Sequence, residues 1–239
     1  MALRPWSPIP IHECGEPLLP LPDGLWRLEP HPYVAVGAPY GPDACPFCLR
    51  QGVIERLLQA QRELQREQPS WRLAIFDAWR PLAVQRFMVA HALAEECRAR
   101  GIDASIPSEA RAAVEQDVGR FWAPPSNDPT TPPPHSTGAA VDLTLADAQG
   151  KPLDLGSPID AIGAVSEPDH FRGVAADAED EAVRKEALIF QERRDRLAEV
   201  MHGAGFAQHP NEWWHFSQGD QLWAWRTGQS QAIYGRSGC

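Results

Sequence analysis

Two short polar segments, set far apart, constrain this chain more than anything else in it: His135-Ser-Thr-Gly138-Ala-Ala140-Val-Asp142 and Glu212-Trp-Trp-His215. Asp142 sits between Val141 and Leu143, in a run from Ala140 to Leu145 that alternates like a strand. A carboxylate inside an apolar strand is costly unless it is paired or bound to a metal. Gly138 allows a tight turn, so His135 and Asp142 can face one point. His215 would reach that point from the other end of the fold, leaving Glu212 as a spare carboxylate. Three N/O ligands, an open fourth position and a nearby general base are the inventory of a catalytic zinc site, where bound water has a pKa near ~7. In an extended strand Glu212 and His215 would face opposite sides, so a bend at Trp213-Trp214 is expected.

The rest of the composition narrows the function classes. The chain has 239 residues with a net charge of −10, which disfavours binding to phosphate backbones or to an anionic membrane surface. No apolar run approaches the ~18 residues that span a bilayer. The start, Met1-Ala-Leu-Arg-Pro-Trp-Ser-Pro, shows no charged segment leading into an apolar one, so no signal peptide is expected. The five cysteines, Cys14, Cys45, Cys48, Cys97 and Cys239, do not form a secreted disulfide pattern. A cytoplasmic location is the expectation. Cys45-Pro-Phe-Cys48 is a single CxxC with no second pair of ligands, and reads as two ordinary thiols.

Helical spacing of Ile54, Leu57, Leu58 and Leu64 predicts a helix over about 52–68, stopped by Pro69. Residues 71–76 read as a short buried strand. Pro81 suits the first turn of a helix running to Gly101. Another helix starts after Ser108, a plausible N-cap, and runs towards Trp122. Asp147 to Gly150 is a hairpin-type turn. The longest helix is expected over roughly 178–202, and Gln221 to Trp225 reads as a last core strand. Without a steady βαβ rhythm, the pattern predicts an α+β fold, with a small central antiparallel sheet flanked by helices. One domain over 1–239 is expected. Residues 1–30 would be a proline-rich extension, packed on the domain or partly disordered.

Arg80 follows an apolar strand and precedes a helix. A guanidinium there suits a carboxylate or a developing oxyanion, and equally a surface ion pair with Asp77. His12, His31, His91, His170, His202 and His209 lack the company that Gly138 and Asp142 give His135, and read as solvated or core residues.

Taken together, His135-x-x-Gly138-x-Ala140-x-Asp142, Glu212-x-x-His215 and Asp77-x-x-Arg80-Pro81 resemble the zinc D-Ala-D-Ala dipeptidases of the VanX type, within the wider D-alanyl peptidase group. The spacing fits over about residues 30–218. The resemblance implies one Zn2+ on His135, Asp142 and His215, with Glu212 as general base and Arg80 stabilising the transition state. It also implies a pocket acid at Asp160, in Leu155-Gly-Ser-Pro-Ile-Asp160, and a substrate contact near Tyr40. Two positions depart from the family pattern. Pro133 stands where a small polar residue is usual, and Ala38-Pro-Tyr40-Gly41 stands where Asn-Phe-Thr-Gly is frequent. The expected substrate is a small dipeptide, D-alanyl-D-alanine, in cell-wall metabolism. The alternatives are a D,D-carboxypeptidase on peptidoglycan precursors and a non-enzymatic zinc-binding relative.

Overall fold

A computed structural model describes residues 4–42 and 44–238. Met1 to Leu3 and Cys239, on which part of the leader and cysteine expectations fell, lie outside the described residues. In chain order the strands are β1 (Leu18–Pro20), β2 (Trp26–Arg27), β3 (Cys48–Arg50), β4 (Arg72–Asp77), β5 (Ala140–Ala146), β6 (Ala207–Gln208) and β7 (His215–Ser217). The helices are α1 (Pro32–Ala35), α2 (Gln51–Glu67), α3 (Leu82–Ala99), α4 (Glu109–Phe121), α5 (His170–Asp177), α6 (Glu181–Gly203) and α7 (Gln221–Thr227).

The expected strand around Asp142 is β5, at the centre of a sheet ordered β2-β4-β5-β7-β6. The pairs β4–β5, β5–β7 and β7–β6 are antiparallel, whereas β2 runs parallel to β4. The sheet is therefore mixed at one edge rather than antiparallel throughout. The α2 crossover between β2 and β4 makes the parallel pairing possible.

Every residue of β5 is buried. Val141, Leu143 and Leu145 face a core built with Leu73, Ile75 and Phe216 of the neighbouring strands. Leu57 and Leu64 of α2 and Leu197 and Met201 of α6 close that core. The opposite face of β5 carries Asp142. A second cluster, from α1, α3 and α4, gathers Tyr33, Val84, Met88, Val114, Val118 and Trp122.

The α2 prediction holds within a residue at each end. Ser108 caps α4 as expected, its hydroxyl accepting from the Arg111 amide at 3.1 Å. Pro81 lies one residue outside α3, as its N-cap. The long helix expected over roughly 178–202 is α6, which starts three residues later. Asp180 accepts from the amides of Ala182 and Val183 and so starts α6, while α5 precedes it and ends at Asp177.

Residues 221–225, expected as a strand, form α7. Asp220 caps it, accepting from the Trp223 amide at 2.8 Å, and Gly228 ends it in the left-handed region. Gln221, Leu222 and Ala224 are its buried residues, a helical rather than an alternating pattern.

Candidate metal centre and catalytic cavity

Strand register sets the site. Asp77 of β4, Asp142 of β5 and His215 of β7 are direct cross-strand neighbours, forming one polar row across the sheet. A bulge puts Asp77 there. The ladder pairs Ile75 with Leu143 and then Asp77 with Asp142, so β4 advances two residues while β5 advances one. Regular alternation would have sent Asp77 to the same face as Ile75, which is in the core. The extra residue re-aims it to the face of Asp142. As expected, the chain turns at Trp213-Trp214 before β7 begins, so Glu212 reaches the same side as His215.

His135 is delivered by a 3-10 turn, Pro134–Thr137, that ends at Gly138 with φ of 71°. A Cβ at Gly138 would also lie 2.2 Å from a methyl of Leu18, so the turn needs glycine for backbone and for space. The His135 Nδ1–H donates to the Ala78 carbonyl at 2.7 Å, which leaves a lone pair on Nε2. That Nε2 lies 3.1 Å from Asp142 Oδ2 and 3.2 Å from His215 Nδ1, and His215 Nδ1 is 3.0 Å from Asp142 Oδ1. Ligand atoms of the three residues all fall within 4.8 Å of one another, and all three residues are buried. Two imidazole nitrogens and a carboxylate converging in this way fit a cation, and the donor set is that of zinc with a position left for water. Burial alone would raise the Asp142 carboxyl. The adjacent imidazoles of His135 and His215 outweigh it and hold the group below the usual carboxylate range.

Glu212 stands outside this triangle, its Oε2 3.7 Å from His215 Nδ1. It is buried, and its Oε1 has no hydrogen-bond partner among the described residues. Burial, followed by the charges of Asp142 and Asp160, pushes its carboxyl well above the usual range. A carboxylate that holds a proton readily beside a metal position can shuttle one.

Arg80 is neither a surface residue nor alone. Its Nε and Nη2 donate to Asp77 Oδ2 at 3.0 and 2.8 Å, and Nη1 donates to Gln85 Oε1 at 2.9 Å. Nη2 also lies 3.4 Å from Asp142 Oδ2. The rings of Tyr33 and Trp122 flank the guanidinium at 4.9 and 5.1 Å. The pair with Asp77 expected from sequence is present, but with both partners buried.

Asp77 is the hub of this layer. It also accepts from Tyr40 Oη at 3.0 Å and from His31 Nε2 at 3.1 Å. His31 Nδ1 accepts the Tyr33 amide and so leaves the ring proton on Nε2. Replacing Asp77 with Asn would leave Arg80 short of its main counter-charge in a buried setting. The expected cost is about 3 kcal/mol, read as a fall in denaturant midpoint at unchanged slope. A loss below ~1 kcal/mol would mean that Asp142 alone suffices to neutralise Arg80.

A cavity opens over these groups, lined by Arg80, His135, Asp142, Asp160, Glu212 and His215 among others. Asp160 adopts a left-handed backbone conformation (φ of 67°) and accepts from Tyr33 Oη at 2.8 Å. Burial and then the charge of Asp142 raise its carboxyl to about 7. Tyr40 differs from expectation. It is not among the cavity-lining residues, and its hydroxyl is spent on Asp77 in the layer behind.

Residues 27–233 match the peptidase family described as D-ala-D-ala dipeptidase. The chain belongs to that family. A D-alanyl-D-alanine dipeptidase of Synechocystis sp. is 46% identical over 98% of this chain and 97% of its own length. The D-alanyl-D-alanine dipeptidase of Escherichia coli K12 is 35% identical over 34% of this chain and 36% of its own. Among solved structures, a zinc-bound mutant of the vancomycin resistance D,D-pentapeptidase VanY covers 89% of this chain and 87% of its own, at 13% identity and a TM-score of 0.44.

In this member of the dipeptidase family, several residues around the site carried no sequence motif. His31, read as an ordinary histidine, orients Asp77. His209, read the same way, is buried with its Nδ1 3.4 Å from Glu212 Oε1, and the Asn211 amide points at that same Nδ1. Its backbone amide donates to the His215 carbonyl, extending the polar row by one strand. The nearest signal was its place three residues before Glu212. Arg4 and Trp6, from the proline-rich extension, line the cavity. Cys45 lies outside it. Its thiol is hydrogen-bonded by Cys48, which lowers it to about 6, so it is more acidic than an ordinary thiol.

Proposed function

We propose that this chain is a cytoplasmic zinc dipeptidase that hydrolyses free D-alanyl-D-alanine to two D-alanines in cell-wall metabolism. The observation that carries the reading is Glu212, a buried carboxylate with an unpartnered oxygen beside a converging His/Asp/His set. The full-length relative that bears the dipeptidase name supports the substrate. For the location, Cys14, Cys45 and Cys97 form no disulfide among the described residues, and no helix is long and apolar enough to cross a membrane.

His135, Asp142 and His215 would hold the zinc, which would supply a Lewis acid and lower the pKa of a bound water. Glu212 takes a proton from the attacking water at a carboxylate oxygen. It then delivers that proton to the leaving amine nitrogen. Arg80, locked by Asp77 and Gln85, presents positive charge to the oxyanion without reorganising. Asp160 receives the substrate ammonium, with Tyr33 fixing its orientation.

A buried acid at the amino end should disfavour acylated substrates, because burying Asp160 without a cation is costly. Free D-Ala-D-Ala should therefore exceed a peptidoglycan pentapeptide ending in D-Ala-D-Ala by about a hundredfold or more in kcat/KM. Equal rates, or preference for the pentapeptide, would make the chain a D,D-carboxypeptidase instead.

A further inference from the structure

The N-terminal segment is not a tail. Gln221 Nε2 donates to the carbonyls of Ser7, Ile9 and Thr130. Trp6 is buried, its ring set edge-on to His209 at 5.6 Å and tilted against Trp225 at 5.5 Å. Further along, Ile11 bridges Ala232, and the Cys14 amide donates to the Ile233 carbonyl. These contacts pin residues 4–14 as a strap whose first residues form part of the cavity wall.

Arg4 is the cation on that wall. It donates to the carbonyls of Gly119 (2.7 Å), Arg120 (3.1 Å) and Trp122 (3.2 Å) at the end of α4. A guanidinium carries five N–H donors, so three such bonds leave donors over. Capping a helix end explains why Arg4 is held. It does not explain why a charge held there borders the catalytic cavity.

The placement of charges suggests what it meets. Arg4 lies 5.8 Å from the Trp6 ring, which packs edge-on against His209, whose Nδ1 is 3.4 Å from Glu212 Oε1, whereas Asp160 is held by Tyr33, whose ring flanks Arg80. The cavity thus has a cation towards Glu212 and an acid towards Arg80. In dipeptide hydrolysis the nitrogen that leaves must lie at the group that protonates it, Glu212. The terminal carboxylate is joined to that nitrogen through one Cα, so its carbon lies only about 2.5 Å from it. The carboxylate end must therefore sit on the Arg4 side.

We propose that Arg4, held by the N-terminal strap, is the specificity residue that receives the free C-terminal carboxylate of the dipeptide, opposite the ammonium site at Asp160. Trp6 backs the same wall. This inference rests on the dipeptidase reading above. Arg4 is a binding group rather than a proton-transfer group, so its loss falls on KM more than on kcat.

The test compares D-Ala-D-Ala with its C-terminal amide, which lacks the charge, in the parent enzyme and in R4Q and R4K. R4Q should raise KM for the acid by about tenfold or more, with a much smaller change in kcat and in the response to the amide. R4K keeps the charge and should recover most of the preference for the acid. R4Q losing equally on acid and amide, or on neither, overturns the role of Arg4. If R4Q fails to fold, R4K decides alone, and its losing the acid preference as a folded enzyme overturns the role. A zinc-loaded parent inert towards the dipeptide overturns the dipeptidase reading itself, and the carboxylate site with it. An active parent separates the two failures.

Discussion

Replacing Glu212 with Ala is expected to lower kcat on D-Ala-D-Ala by about a thousandfold or more while leaving one zinc bound per chain. Glu212 is not one of the three converging ligands, and its Oε2 is 3.7 Å from His215 Nδ1. Its removal should not open the metal site. The fold should tolerate the change as well, since one oxygen of this side chain has no hydrogen bond to lose among the described residues. E212Q sharpens the result, because it preserves shape and removes only the capacity to carry a proton. It should be nearly as inactive as E212A. Zinc content by metal analysis and turnover by D-alanine release are the two readouts. Parent-rate hydrolysis by either variant would remove Glu212 from the mechanism. Loss of zinc together with activity would instead make it a ligand.

Metal removal should have the second large effect, on stability as well as activity. Ligand binding to the folded state alone adds about 4 kcal/mol at a free concentration a thousand times Kd. For a chain of this size that corresponds to a fall in Tm of about 10 °C on chelation, reversed by added zinc. D142N and H215A provide the control. Each should start from the lower Tm, show no further fall with chelator, and lack activity. A variant that still responds to chelator would place the stabilising ion elsewhere. The sign for the empty site is also predictable. Without the ion, Asp142 keeps its charge through the neighbouring imidazoles, which hold its carboxyl below the usual range. Acidification that protonates Asp142 should therefore weaken the folded state.

The metal set was legible in sequence because its chemistry is local. His135, Gly138 and Asp142 are bound together by a single turn and strand, and Glu212 and His215 by one bend. A carboxylate amid Val141 and Leu143 has few explanations. The helices α2 and α4 were legible through spacing and the Ser108 cap. What escaped was whatever depends on partners distant in the chain. His31 looked ordinary because its partner Asp77 is reached only across the fold. Arg4 and Trp6 came from a segment whose prolines say nothing about where it lies. Tyr40 was expected at the substrate because a resemblance locates a neighbourhood, not which atoms face the cavity. Asp220 before α7 and Gly228 after it are ordinary helix start and stop signals. Alternating Trp and Leu obscured them.

The extra residue in β4 has a further consequence. Before it, Leu73 and Ile75 are in phase with the core; after it, Asp77 is in phase with the polar row. The strand is two half-strands joined out of step. Registration of the sheet is secured by greasy contacts on one side of that joint, and chemistry is displayed on the other. Substitutions in the display half can alter what the site does while the pairing that builds the domain stays under separate control. A fold arranged this way can change its substrates across evolution without relearning how to assemble.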